Sequence, residues 1–137
     1  MSYTETNTGA TYSLAPMLSV RRGAAAVEFY KAAFGANEVF RIESPDGAVV
    51  ARLSIHGGEF WVADESPEYH NFSPESLGGA TVRLVLTVPD PDAMFARAVS
   101  AGARSVSPVD DKEYGWRVGR VADPFGHHWE IGRPLDA

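Results

Sequence analysis

The groups that could carry chemistry in this sequence are oxygen and nitrogen side chains, because none of its 137 residues is cysteine. Disulfides, cysteine-ligated zinc and thiol nucleophiles are therefore excluded. Among the four histidines, His56 precedes a glycine pair, His70 lies in a polar stretch, and His127-His128 follow an Asp-Pro-Phe-Gly turn. An imidazole near a strand end can be a metal ligand, an acid–base group or simply a structural residue, so His56 and His128 are candidates for the first two roles.

The sequence lacks the motifs of two other classes of active site. The chain has no Gly-x-Ser-x-Gly turn of a serine hydrolase, and neither Gly-x-Gly-x-x-Gly nor Gly-x-x-x-x-Gly-Lys for phosphate binding. The run Asp110-Asp111-Lys112-Glu113 could pass for a carboxylate cluster, but it lies between two predicted strands. We interpret it as a solvated loop.

Length and charge limit the class of partner. The chain is long enough for one domain, and its hydrophobic fraction of 45% is typical of a protein with a packed core. Its net charge of −6 opposes binding to nucleic acid or to an anionic membrane, so we expect a small-molecule partner. Residues 1–11 are polar, and no apolar stretch approaches the roughly 20 residues needed to span a bilayer. A cytoplasmic protein is the expectation.

Hydrophobic periodicity predicts the same order of elements twice. Alternation predicts strands, and a period of three to four residues predicts a helix in each half. In the first half the predicted segments are a strand at 14–20, a helix at 23–34, and strands at 38–43, 48–56 and 59–63. In the second half they are a strand at 81–88, a helix at 91–101 with Met94, Phe95, Ala98 and Val99 on its buried face, and strands at 105–108, 116–122 and 128–132.

The two halves form an internal repeat. Val20 and Val88 end the first strand of each half, and Gly35 and Gly102 follow the two helices, so both landmarks recur after nearly the same interval. The predicted parts are a polar lead at 1–13, a first βαβββ module at 14–63, a linker or flap at 64–80 and a second module at 81–135. Each helix would cover one face of its sheet and leave the other bare. We expect an α+β fold in which the two bare faces meet and form a cupped mixed sheet.

Alternation also identifies the side chains that point away from the helices and into this cup. They are Ala15, Met17, Ser19, Arg52, Ser54, Trp61, Arg83, Val85, Thr87, His128 and Glu130, with Tyr114 and Trp116 at the entrance of the second half. Such a lining suits a flat or aromatic molecule with an acidic group, with Trp61 as a stacking surface and an arginine as the anchor. In the structural alternative, Trp61 fills the cup and Arg52 pairs with Glu43 or Glu59.

Several segments of the sequence resemble those of a known protein family. They are Pro16-Met-Leu-Ser-Val, the helix segment 26–36, Ala63-Asp-Glu65 and, most specifically, the segment from Gly115 to Ile131 with its Asp-Pro-Phe-Gly-His-His-Trp-Glu. Together they resemble the glyoxalase/bleomycin-resistance family, the vicinal oxygen chelate (VOC) superfamily, and look like its PhnB-like branch. The resemblance implies paired βαβββ modules around a cupped sheet, and a homodimer that completes or encloses the cup. The same scaffold serves lyases, isomerases, dioxygenases, epimerases and metal-free drug-binding proteins, so it does not specify a reaction.

The resemblance also allows a test for a metal centre. In metal-dependent members, one His or Glu from the first and last strand of each half holds a divalent ion. Glu130 matches one of these four positions, but the other three fall on Ala15, Trp61 and Arg83, which offer no donor atom for a metal. We expect an ion pair between Arg83 and Glu130 instead, and no cofactor. A divalent metal would need a contribution from the candidate histidines named above.

Two functions remain open from the sequence. The first is a metal-free protein that binds a small planar or acidic molecule in the cup. The second is a metal-dependent glyoxalase-like lyase or ring-cleaving dioxygenase in which Glu130 is a catalytic residue, as a metal ligand or general base. Replacing Glu130 with Gln would separate them, because it would abolish activity in the enzyme with little change in binding, and alter ligand affinity and stability in the binding protein.

Overall fold

The protein is described by a computed structural model of residues 11–136, which contains the predicted repeat. The first module consists of β1 (Met17–Val20), α1 (Gly23–Phe34), β2 (Asn37–Glu43), β3 (Val49–Ile55) and β4 (Gly58–Asp64). A 3-10 helix (Pro67–Tyr69) and a one-turn helix, α2 (Pro74–Leu77), follow in the predicted linker. The second module consists of β5 (Arg83–Thr87), α3 (Pro91–Ala101), β6 (Arg104–Asp111), β7 (Trp116–Ala122) and β8 (His128–Pro134).

Each module forms its own four-stranded mixed sheet. The strand order is β1-β4-β3-β2 in the first and β5-β8-β7-β6 in the second. The first strand of each module pairs in parallel with the last, and the other neighbours are antiparallel. The predicted α+β fold of paired βαβββ modules is therefore confirmed.

Carboxylates fix the start of both long helices. At α1 the cap comes from the far end of the module: Asp64 accepts hydrogen bonds from the backbone N–H groups of Gly23, at 3.0 Å, and Val49, at 2.6 Å. At α3, Asp90 accepts a hydrogen bond of 3.1 Å from the N–H of Ala93, two residues after Pro91. The contacts to Gly23 and Ala93 satisfy N–H groups that a helix leaves free at its first turn, and the contact to Val49 links the end of β4 to the start of β3. No helix in residues 11–136 combines the length and the apolar character needed to cross a membrane.

The largest buried side chains lie where the two modules meet. Tyr30 and Phe34 of α1 are fully buried and pack against Trp129 of β8, with ring centroids 5.5 and 4.6 Å apart. Phe60 of β4 and Phe125 of the β7–β8 turn complete this aromatic cluster. Because α1 is covered by its own sheet on one side and by the second module on the other, burial of these rings joins the modules into one core.

Helix α3 is less deeply buried than the spacing of its apolar residues predicts. Ala98 is fully buried, but Val99 is 39% exposed, so its prediction as a core residue was wrong. Met94 and Phe95 are partly buried against the core. An apolar stripe indicates which face of a helix is turned inward, but not how far the neighbouring elements cover its margins.

The two bare sheet faces do not meet within the chain. The modules pack through their helix-covered sides, and the opposite faces leave Met17, Ile42 and Val85 between 52% and 63% exposed. We call these the outer faces of the two sheets. The expectation that the bare faces cover each other must therefore be corrected for the single chain, because the aromatic cluster draws the helix-covered sides together instead.

Candidate ligand-binding site

The outer face of the second sheet is organised around Glu130. On β8, Glu130 lies beside Val85 of β5 and Arg120 of β7 in the strand register. Its Oε2 atom is 2.9 Å from Nε of Arg83 and 2.9 Å from Nη2 of Arg120. The predicted Arg83–Glu130 ion pair is confirmed, and the carboxylate is shared by two guanidinium groups.

Arg120 is the site residue that the sequence analysis missed. It lies on the same face of β7 as Trp116, which was predicted at the entrance of the cup, because residues four apart on a strand share a face. Trp116 itself is half-buried. The intervening Arg117 points to the other face and pairs with Asp92 of α3 and with Asp111, at 2.8 and 2.9 Å.

His128 faces the same side as Glu130 and is next to Arg83 in the register. Its Nδ1 atom is buried and has no hydrogen-bond partner within the part of the chain that the structure describes. Burial lowers the pKa of this imidazole, and the guanidinium groups of Arg120 and Arg104 lower it further. The neighbouring His127 lies outside this group, since its Nε2 atom is 2.9 Å from the backbone oxygen of Ser19.

The outer face of the first sheet is aromatic. Trp61 lies between Met17 and Arg52 in the register, and its ring is 6.0 Å from that of Phe40, edge to face. The guanidinium of Arg52 lies 5.4 Å from the centre of the Trp61 ring, in cation–π geometry. Its Nε atom is 3.6 Å from Glu59, the pairing foreseen in the structural alternative, but donates no hydrogen bond.

The predicted site residues thus fall into two groups. Met17, Ser19, Arg52, Ser54 and Trp61 belong to the first outer face, and Arg83, Thr87, Tyr114, Trp116, His128 and Glu130 to the second. Ser54 uses its hydroxyl to accept a hydrogen bond from Gly57 in the turn after its strand. Thr87 is exposed at the end of β5. The chain does not bring the two groups together, because they lie on the outer faces of separate sheets.

The residues present do not fit the divalent metal that the resemblance implies. Within residues 11–136, no three His, Asp or Glu side chains come close enough together to hold an ion. Glu130 is occupied by two guanidinium groups, and two of the positions where further ligands would be needed hold Arg83, on the neighbouring strand β5, and Trp61, on the other sheet. His56 is exposed in the β3–β4 turn, with a left-handed backbone (φ 47°). Hard cations need several oxygen or imidazole donors, which this arrangement lacks.

Comparisons with known proteins identify the family. The sequence model of the Glyoxalase/Bleomycin resistance protein/Dioxygenase superfamily matches residues 14–131. Mb0911c of Mycobacterium bovis, an uncharacterized protein, is 44% identical over 127 residues, which cover 90% of this chain and 84% of that protein.

Solved structures agree with this. TioX from Micromonospora sp. ML1 has 29% identity and a TM-score of 0.69, covering 90% of this chain and 100% of its own. The product of the Arabidopsis thaliana gene At5g48480 has 33% identity and a TM-score of 0.67, covering 88% of this chain and 96% of its own. The chain therefore belongs to the Glyoxalase/Bleomycin resistance protein/Dioxygenase superfamily, the VOC superfamily.

Proposed function

We propose that this protein binds a small planar molecule with an acidic group, and that it does so without a metal ion. The observation that supports this most directly is the position of Glu130 between Arg83 and Arg120. In the alternative enzyme, this carboxylate would have to bind a metal or accept a proton. Here it serves as the counterion of two guanidinium groups, and one negative charge against two positive charges leaves an outer face that attracts anions.

The planar part of the ligand is assigned to the first outer face. Trp61, Phe40 and Arg52 form a continuous aromatic and cationic surface on adjacent strands. Phe40 is 43% exposed, so ring area is available for stacking. A stacked aromatic pair contributes on the order of 0.5–1.5 kcal/mol beyond its buried area, enough to select planar over aliphatic acids.

We propose a homodimer in which the first outer face of one protomer covers the second outer face of its partner. The exposed apolar side chains Met17, Ile42 and Val85 on these faces support this arrangement, because apolar patches of this kind usually mark an interface or a ligand groove. Each cup would then combine an aromatic wall from one chain with a cationic wall from the other.

We also propose that the protein belongs to the PhnB-like branch, which the segment from Gly115 to Ile131 supports. A cytoplasmic location is a further proposal, supported by the absence of cysteine.

Three related probes test the function. Chelator-treated protein is titrated with benzoate, phenylphosphonate and the neutral analogue benzamide, and thermal stability and affinity are measured. We expect both acids to raise the melting temperature and benzamide to leave it unchanged. Trp61→Leu should weaken phenylphosphonate binding by about tenfold, since a stacking surface is lost. Tyr69→Leu, which removes an aromatic ring that is 74% exposed in the linker, is the matched control. Equal binding of benzamide, or no response to any probe, would contradict the proposal.

Mixing two variants with weakened binding tests the dimer. Trp61→Leu weakens the first outer face, and Arg120→Met weakens the second. If each cup takes one face from each chain, a heterodimer of these variants has one fully wild-type cup and one doubly altered cup. Refolding the two variants together should therefore restore high-affinity binding at up to half of the cups in each heterodimer. No restoration in a mixture shown to contain heterodimers would indicate a cup confined to one chain.

A further inference from the structure

A small recess lies beside Arg120 on the outer face of the second sheet. Its volume is about 160 Å³, which is room for a group the size of a few water molecules at roughly 30 Å³ each. Val118 and Gly119 form its apolar part. Its polar lining consists of Ser107, Lys112, Tyr114, Arg120 and Glu130, so that four residues with hydrogen-bond donors and one carboxylate residue border it.

The recess carries more positive than negative charge. Arg120 directs one terminal nitrogen to Glu130, which it shares with Arg83, and leaves its remaining N–H groups without an acceptor in the described residues. No ion pair in residues 11–136 involves Lys112. The adjacent Asp111 is already paired with Arg117, on the opposite face of the sheet. Lys112 is therefore a half-buried cationic residue, without an ion-pair partner in the described residues, that lines the same recess as Arg120.

The loop that carries Lys112 is held in place by its backbone. The N–H of Lys112 donates to the oxygen of Trp116 at 2.7 Å, and the N–H of Gly115 donates back to the oxygen of Lys112 at 3.0 Å. Gly115 has a φ of 90°, a conformation that favours glycine, and this allows the tight reversal. The turn thus fixes the backbone positions from which Lys112 and Tyr114 border the recess.

We propose that this recess binds a compact oxyanion, a phosphate, phosphonate or carboxylate group, between Lys112 and Arg120. The hydroxyl groups of Ser107 and Tyr114 supply further donors. Glu130 acts as a positioning residue that holds Arg120 at the edge of the recess. This inference rests on the proposed function, because it assigns the place where the acidic group of the planar ligand is held.

The chain offers a direct test, because Lys31 and Lys112 are its only lysines. Lys31 lies on α1, pairs with Glu28 and Glu38, and is half-buried like Lys112. Reductive methylation of both lysines is followed by mass spectrometry at increasing concentrations of inorganic phosphate and, separately, of benzoate. At least one of these anions should slow the modification of Lys112 about tenfold at saturation and leave Lys31 unchanged. Equal rates at Lys112 with and without saturating phosphate and benzoate would overturn the inference.

Two matched variants separate local binding from a general charge effect. Lys112→Met and Lys31→Met each remove one positive charge, and both sites are partly exposed. Only Lys112→Met should weaken binding of the protective anion, by about tenfold. Greater weakening for phosphate than for benzoate would identify a phosphate-type group as the preferred ligand, and the reverse a carboxylate.

The same experiments distinguish this inference from the proposed function. If benzoate and phenylphosphonate bind with full sensitivity to Trp61→Leu but none to Lys112→Met, the proposed function stands and the inference is wrong. If phosphate protects Lys112 while Trp61→Leu changes no affinity, the oxyanion site stands and binding of a planar molecule is wrong.

Discussion

Two carboxylates of the second module, Asp123 and Glu130, have opposite surroundings. Asp123, in the turn between β7 and β8, is 95% buried and faces the first module. It accepts hydrogen bonds from the Tyr30 hydroxyl, the Trp129 indole and two backbone N–H groups of its own turn. Glu130, on the outer face of β8, is partly exposed, accepts a hydrogen bond from Arg120 and forms an ion pair with Arg83.

The difference separates a carboxylate that joins the two modules from one to which we assign a role in ligand binding. The acceptor positions of Asp123 are filled by neutral donors from both modules, so this carboxylate has no capacity left for a ligand. Burial raises the pKa of Tyr30, and the neighbouring Asp123 charge raises it further, which keeps the phenol protonated as a donor. Glu130, by contrast, organises charges that remain accessible. The inner face of the hairpin joins the modules, and its outer face is free for recognition.

Asp123→Asn should have the largest effect on stability. The amide cannot accept the hydrogen bonds of Tyr30 and Trp129 as the carboxylate does. Its NH₂ group would face the indole N–H, so that two donors would oppose each other. We expect the free energy of unfolding to fall by about 2–4 kcal/mol, measured by urea denaturation. Asp92→Asn makes the same chemical change at an exposed pair with Arg117 and should cost less than about 1 kcal/mol. Similar losses in both variants would contradict a special role for the buried carboxylate.

Glu130→Gln should alter binding more than stability. Removing the negative charge frees two guanidinium groups, so we expect the affinity for phosphate to rise about threefold to tenfold. Stability should change by less than about 1 kcal/mol, since Arg83 is 56% exposed and can be solvated. Calorimetric titration and denaturation measure the two effects on the same preparation. A loss of affinity accompanied by a loss of bound metal would instead support Glu130 as a metal ligand.

The smallest expected effect is the pH dependence contributed by His128. Its pKa is lowered in the folded protein, so the unfolded chain takes up a proton first as the pH falls below about 6.5. As the pH falls from 7.5 to the lowered pKa, the free energy of unfolding should therefore decrease more for the wild-type protein than for His128→Asn. The charged and titratable groups around this imidazole are Arg83, Arg104, Arg120, Asp123, His127 and Glu130.

The exposed linker residue His70 provides the control for this measurement. His70→Asn keeps a residue type that tolerates the left-handed backbone found there, at φ 65°. The pH dependence of the free energy of unfolding is measured for this variant alongside wild type and His128→Asn. An identical pH dependence in wild type and His128→Asn would contradict a lowered pKa of His128, whether from burial or from the neighbouring guanidinium groups.

Much of this arrangement could be predicted from the sequence. Alternation identifies which side chains of β5 and β8 face outward, and this was enough to predict the Arg83–Glu130 pair. The same alternation on β7 contained the signal for Arg120, four residues from Trp116. Lys112 had no such signal, because its position depends on β6 continuing to Asp111, beyond the predicted end of that strand, and on the turn at Gly115.

The contact between modules could not be predicted for a different reason. An apolar strand face shows that something covers it, but not which element does so. Tyr30 and Trp129 are 99 positions apart in the chain and give no periodic signal of their contact. The expectation that the bare sheet faces meet failed at this step, because the aromatic residues on the helix-covered sides pack together instead.

Titration of phenylphosphonate is the sharpest test of binding of an acidic planar molecule without a metal. Affinity is measured calorimetrically on chelator-treated protein and again after addition of zinc, nickel or manganese. We expect saturable binding before metal is added, with an affinity that added metal changes by less than about twofold, or 0.4 kcal/mol. Binding that appears only after metal is added would contradict it.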